Sequence, residues 1–332
     1  MIFIKKNYQG LLLCLIIGIF SWFLGESFSI IGGPVFAILL GLIVALFPRK
    51  EYFESGITFT SKKILQYAIV LLGFGMNLFD IFKVGGQSLL IIISTISTSL
   101  IVSYIISKLM KIPNNISILV GVGSSICGGS AIAATAPVID ADNEDIAKSI
   151  SVIFLFNVIA AFLFPILGDL LKLNDIGFGM WAGTAINDTS SVVAAGQTWA
   201  SSHGNDIALN YATIVKLTRT LAIIPITLIL ALYRSKKNTT TTAKFSKIFP
   251  WFILFFLFAA IISTLFNMSP TLTNPLTKLG KFFITMAMGA IGLNTNIIKL
   301  IKTGGKPILM GLFTWISIAF VSLLIQHLLH IW

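Results

Sequence analysis

Eleven apolar stretches divide the chain, at residues 8–25, 33–47, 64–82, 87–109, 116–139, 146–171, 177–200, 207–233, 249–266, 279–298 and 307–330. Most come close to or exceed the roughly 18–20 apolar residues a helix needs to cross a bilayer. The connections between them are short and polar, so none is long enough to fold alone. The pattern predicts an all-α polytopic membrane protein, a single transmembrane domain over 1–332 with about 9–11 transmembrane helices. The run from Tyr8 to Gly25 follows Lys5-Lys6 and has no clear small-residue cleavage site, so it is expected to stay as a first span.

Two stretches differ from the rest in being small, polar and glycine-rich at their centres. The first reads Gly121-Val122-Gly123-Ser124-Ser125-Ile126-Cys127-Gly128-Gly129-Ser130, the second Gly183-Thr184-Ala185-Ile186-Asn187-Asp188-Thr189-Ser190-Ser191. Glycine permits a break in the helix, and Ser, Thr and Asn favour a restart as N-caps. Backbone that leaves the helical ladder at membrane depth must line a cavity or lie inside protein. Both stretches are therefore expected to be discontinuous helices or re-entrant hairpins. Half-helices restarting near Gly129 and Thr189 would aim free amides inward, a setting that suits an anion.

Internal repeats agree with such a plan. Gly73, Asn77, Lys83, Gly85 and Gly86 recur 219 residues later as Gly292, Asn296, Lys302, Gly304 and Gly305, and Lys62 recurs as Lys281. An odd number of spans separates the copies, so the repeats are expected to be inverted, with units of about 33–171 and 177–330. Inverted repeats are the usual ground plan of secondary transporters, whose substrate sits at the repeat interface near the midplane. A shorter repeat relates Ile126, Ser130 and Ala134 to Ile186, Ser190 and Ala194, 60 residues apart. It accords with inverted repeats only if both stretches are hairpins; single crossings would make these copies parallel.

Composition supports the membrane reading and adds an orientation. The chain is 56% hydrophobic and 11% charged, where soluble domains carry roughly 25% charged residues. The formal net charge of +11 sits mostly in loops. The most basic connection, Arg234-Lys236-Lys237-Lys244-Lys247, lies in a linker at 234–248 that includes Asn238-Thr239-Thr240-Thr241-Thr242, and is expected to be cytoplasmic. Counting spans from it places Lys5-Lys6, the Arg49-Lys50-Lys62-Lys63 loop and the Lys299-Lys302-Lys306 loop on the same side. The expected topology in a bacterial plasma membrane is N-terminus cytoplasmic and C-terminus outside. No basic-aromatic patch points to nucleic acid. Cys14 and Cys127 fall in apolar stretches and form neither a disulfide framework nor a metal site.

The sharpest chemical clue is Lys216 and Arg219, three residues apart near the middle of an apolar stretch and so on one helix face. Burying such charges costs about 2.5–3.5 kcal/mol each on insertion scales, and they normally face a cavity or a partner. Asp188 is the nearest candidate partner. One carboxylate against two cations leaves a positive excess that an anionic substrate would neutralise. The other reading has Asp188 and helix C-terminal carbonyls satisfying both cations as pure structure. The candidate substrate-binding residues are thus Ser124, Ser125, Cys127, Gly128, Gly129, Ser130, Asn187, Asp188, Thr189, Ser190, Lys216 and Arg219. No phosphate-binding loop, zinc-protease motif or nucleophile elbow is present, so neither enzymatic catalysis nor a cofactor or metal is expected.

These residues carry a resemblance. Ser125-Ile126-Cys127-Gly128-Gly129-Ser130-Ala131-Ile132-Ala133-Ala134, Asp188-Thr189-Ser190-Ser191-Val192-Val193-Ala194-Ala195-Gly196 and Ala212-Thr213-Ile214-Val215-Lys216-Leu217-Thr218-Arg219 resemble the YeiH-like bacterial membrane proteins, a family labelled as sulfate exporters. The family often has His at the position of Asn187 and Gln at that of Ser191, so proton coupling through that His is not expected here. The resemblance implies kinship with cation–proton antiporter and anion transporter folds, and a sulfate-like or sulfonate-like substrate. The expected function is secondary transport of a small anion. The alternatives are a proton- or sodium-coupled antiporter using Asp188, and a non-transporting scaffold. The partners expected are the anion, a coupling ion (proton or sodium), the lipid bilayer and a second copy in a homodimer.

Overall fold

The computed structural model describes residues 2–28, 32–48, 50–235, 251–295 and 305–332. These form helices and no strand. In chain order they are α1 (Ile2–Ser27), α2 (Gly33–Ala45), α3 (residues 54–73, with a π turn at Thr60–Ile64), α4 (Leu78–Met110), α5 (Asn114–Ser125), α6 (Gly129–Thr135) and α7 (Asn143–Leu170). Then follow α8 (Asp175–Ala185), α9 (Thr189–His203), α10 (Ile207–Thr220), α11 (Ile223–Ser235), α12 (Trp251–Leu265), α13 (Pro270–Asn294) and α14 (Gly305–Leu328). Six helices, at Asn7–Ser27, Leu78–Met110, Glu144–Leu170, Ile207–Thr227, Pro270–Asn294 and Gly305–Leu328, are long and apolar enough to cross a membrane. Their outer surfaces carry exposed Phe79, Leu109, Leu170 and Phe320, side chains that lipid solvates and water does not. The chain is a multi-pass α-helical membrane protein.

Contacts at helix ends sort the connections onto two faces. On the first face, Ser55 Oγ donates to Asn7 Oδ1 at 2.7 Å, joining the start of α1 to that of α3. On the second, Ser263 Oγ donates to Phe74 O, Leu78 N donates to Thr264 Oγ1, and Asn174 Nδ2 donates to Ile331 O. Among the described residues nine helical passages alternate between these faces: α1, α2, α3, α4, α7, α10–α11, α12, α13 and α14.

The remaining four helices are two re-entrant hairpins. The Asn115 side chain, at the start of α5, lies beside the Asp145 carboxylate at the start of α7, so α5 and α6 leave and return to one face. Ile132 of α6 folds back against Gly123 of α5, residues a straight helix would hold about 13 Å apart. In the second hairpin Asp175, in the first turn of α8, accepts from Trp199 Nε1 at 2.8 Å and from Asn205 Nδ2 at 3.0 Å. Phe178 and Trp199 stack with centroids 4.0 Å apart. Since α7 crosses between them, the hairpins enter from opposite faces. At 11 or 12 residues, α8 and α5 reach about 17 Å inward, roughly half the hydrocarbon thickness. Replacing Asp175 with Ala leaves the buried indole N–H of Trp199 without an acceptor. It is expected to cost about 1–3 kcal/mol, read as a lower melting temperature in detergent.

One boundary differs from the sequence expectation. The stretches 64–82 and 87–109 imply a break at Lys83-Gly85-Gly86, but the chain turns at residues 74–77 instead. Asn77 is the N-cap of α4, its side chain accepting from Phe79 N at 2.8 Å, and Asp80 sits in the first turn of α4 rather than at a helix end. Gly85 lies inside α4, where an added Cβ would stand 3.2 Å from Thr218 Oγ1. It lets α4 approach α10 and does not end a helix. In the acidic loop, Asp142 caps α7 by accepting from Asp145 N, and Glu144 pairs with Lys148. Arg49, Lys236, Lys237, Asn238–Thr242, Lys244, Lys247, Asn296, Lys299, Lys302 and Gly304 lie outside the described residues, and with them half of the second copy of the 219-residue correspondence.

The helices pack as two bodies, each drawing on both halves of the chain. The first holds α1, α2, α3, α12 and α13; the second holds α4, both hairpins, α7, α10 and α14. They meet where α9 lies along α2 and α13. There Gly32 packs against Thr198, and Gln197 Nε2 donates to Thr285 Oγ1 at 3.5 Å.

Candidate functional site

Breaking a helix strands the carbonyls of its last turn, and lipid offers them no donors. The tips of the two hairpins, Ile126–Gly128 and Ile186–Asp188, meet deep in the second body, and their stranded carbonyls converge on α10. Lys216 Nζ donates to Ile126 O at 2.7 Å and to Ile186 O at 2.9 Å. Arg219 donates from Nε to Ser125 O at 2.6 Å, from Nη2 to Ser124 O and from Nη1 to Thr184 O and Ile186 O. Both cations are 0% exposed. The 60-residue repeat now has a physical meaning. Ile126 and Ile186 offer equivalent carbonyls to one ammonium, and Ser124 and Thr184 offer equivalent carbonyls to one guanidinium. Cations at helix C-termini also complement the dipoles of α5 and α8.

Asp188 does not pair with these cations; no ion pair to it occurs among the described residues. It caps α9, its Oδ2 accepting from Ser190 N at 3.1 Å and from Ser190 Oγ. It is half-buried and faces the opposite tip, where a Cβ added to Gly128 would stand 3.3 Å from Asp188 Cβ. Gly128 has φ +70° and ψ −129°, a conformation open essentially to glycine alone, and its lack of a side chain lets the tips touch.

Of the other expected site residues, Asn187 is buried with both amide atoms unpartnered, and Ser124 Oγ is likewise unpartnered. Cys127, Thr189 and Ser190 are buried beside them. Ser125 is buried, but its hydroxyl is spent on Val122 O. Gly129 begins α6 and Thr189 begins α9, the two restarts expected from sequence. Ser130 is exposed and stands apart from the group. Cys14 and Cys127 are buried and form no disulfide. One member was missed: Asn157, on α7, is buried with Oδ1 unpartnered and Nδ2 3.6 Å from the Gly128 Cβ position. A lone Asn in the apolar run of α7 was the available signal.

The arrangement is a buried polar cluster of Asn157, Asn187, Asp188 and Ser124 at the hairpin tips, beside two buried cations. Four half-helix ends meet here, two C-terminal and two N-terminal, so their dipoles roughly cancel. Lys216 and Arg219 against Asp188 then leave one formal positive charge. The description "Conserved hypothetical protein 698" matches residues 9–311 of the chain. A UPF0324 membrane protein of Streptococcus mutans is 56% identical over 337 residues, covering 98% of each chain. Another from Streptococcus agalactiae is 55% identical over 334 residues, covering 99% of each. One from Fusobacterium nucleatum is 54% identical over 344 residues, covering 98% of this chain and 99% of its own. The chain belongs to this family, UPF0324. It is the YeiH-like group that the tip motifs resemble, and the UPF0324 relatives are named for their place in the membrane alone.

Proposed function

We propose that the protein is a secondary transporter of a small anion, of the sulfate or sulfonate type, with its site where the hairpin tips cross. The observation that carries the reading is the crossing itself: two hairpins from opposite faces end in a buried polar cluster that holds one formal positive charge in excess. Unpaired buried polar atoms are costly, and the Asn187 Nδ2 and Ser124 hydroxyl donors gain acceptors from an anion. The two bodies supply the parts that alternating access needs. The face holding the start of α1 also receives the connections rich in Lys and Arg, so we assign it to the cytoplasm of a bacterial cell.

The test is thermal stability of the purified protein against sulfate, sulfite, thiosulfate, taurine, bicarbonate and chloride. A ligand present at 100 times its Kd adds about 2.7 kcal/mol. Lys216→Ala also disturbs the tips, so Asn187→Ala is the cleaner variant because it breaks no hydrogen bond. It is expected to melt at or above the wild-type temperature and to lose the anion's effect. A panel without any stabilising anion sinks the reading.

A second reading has one specific support. The Asn157 side chain and Asp188 both pack against the Gly128 tip and Asn187 precedes Asp188 in the chain, side chains whose oxygens suit a small cation such as sodium. Under it, sodium or pH rather than an anion shifts the melting temperature, and Asp188→Asn removes the shift.

A further inference from the structure

Away from the crossing, one ion pair ties the two bodies together. Lys281 of α13, in the first body, donates to both oxygens of Asp206 at 2.6 and 2.7 Å, and Asp206 belongs to the α9–α10 connection of the second. The pair lines an open cavity of about 550 Å³ between the bodies, on the face that holds the end of α14. Lys278 and Ser201 line the same cavity. So does Gln197, which is 4% exposed and has one amide atom, Oε1, without a partner. Amide O and N exchange by a flip, after which the Thr285 hydroxyl turns from Lys281 O to the amide oxygen and the unpartnered position becomes an N–H donor.

We infer that Lys281 is the centre of an outer anion site, and that the Asp206 carboxylate occupies it as an internal stand-in for the ligand. Two carboxylate oxygens on one ammonium reproduce the contact that two oxygens of a sulfate or sulfonate group would make. Asp206 is 45% exposed, and a part-exposed ion pair is weak enough for a free anion to compete with. A sulfate ion brings two charges where Asp206 brings one, and Lys278 and the Gln197 amide supply further donors. Binding and release of the tie between the bodies are then one event. The ligand class rests on the proposed function, so the test reads occupancy of the cavity and not transport; either can fail without the other.

Full-length protein in native membranes carrying Ser201→Cys gives a reporter in the cavity wall, with Cys14 and Cys127 both buried. The rate of modification by the anionic reagent methanethiosulfonate ethylsulfonate is measured against sulfate, at constant ionic strength set with gluconate. Sulfate is expected to slow the reaction, with half-protection at a concentration several-fold lower in Asp206→Asn. Lys281→Gln should abolish protection. Glu26→Gln makes the same change of charge in the same cavity without touching Lys281, and should leave half-protection unmoved. The inference is overturned if sulfate never protects, if Lys281→Gln stays protected, or if Asp206→Asn and Glu26→Gln act alike.

Discussion

Arg219→Leu is expected to destabilise the protein by about 3–5 kcal/mol, the usual cost of removing one member of a buried charged network. The side chain is fully buried and its guanidinium donates to carbonyls of Ser124, Ser125, Thr184 and Ile186. Leucine fills similar space and satisfies none of them, and an orphaned buried carbonyl costs about 1–3 kcal/mol. Against a typical total of roughly 5–15 kcal/mol, most purified variant should aggregate or melt far below wild type. Lys216→Met, which strands two carbonyls, should do less harm. Arg219→Lys should recover only part, because a compact ammonium cannot span acceptors that a planar fork reaches together. Melting temperatures of the three variants rank the effects. Equal values for Arg219→Leu and wild type would mean that water satisfies the tips, and that the crossing is not dry.

Asp188→Asn should separate stability from transport. Asn is as good an N-cap as Asp, so the bond from Ser190 N survives and the stability should stay within about 1 kcal/mol of wild type. The formal excess of positive charge at the tips doubles, however. A charge change a few ångströms from a bound anion is worth a few kcal/mol at an effective dielectric of about 20. Tighter binding without matching help to release slows turnover. Saturating anion flux into proteoliposomes is expected to fall at least about 10-fold, with a lower half-saturating concentration. If the half-saturating concentration holds while dependence on sodium or pH disappears, Asp188 handles the coupling ion instead.

Each of the eleven apolar stretches corresponds to a passage or a hairpin, and the breaks at the tips were legible because glycine and small polar residues cluster there. Hairpin against single crossing was not legible. That choice depends on contacts such as Asn115 with Asp145 and Trp199 with Asp175, which no local pattern contains. Lys83, Gly85 and Gly86 misled because glycine marks close helix packing as readily as it marks a turn. The cost of burying Lys216 and Arg219 could be read, and helix C-terminal carbonyls were one of the two kinds of partner expected for them. Main-chain carbonyls have no letter in a sequence, so which of them accept could not be read, and Asp188, the other expected partner, has a different task.

That same fact governs how this protein can change over generations. The joint at the crossing is built from two side chains on α10 and from main-chain oxygens that every amino acid carries. Ser124, Ser125, Ile126, Thr184 and Ile186 present those oxygens whatever their own side chains are. Drift at such positions can therefore retune what the tips recognise while the joint stays whole, whereas Lys216 and Arg219 have no substitute. A lineage built on this joint can acquire new cargo without having to reinvent its architecture.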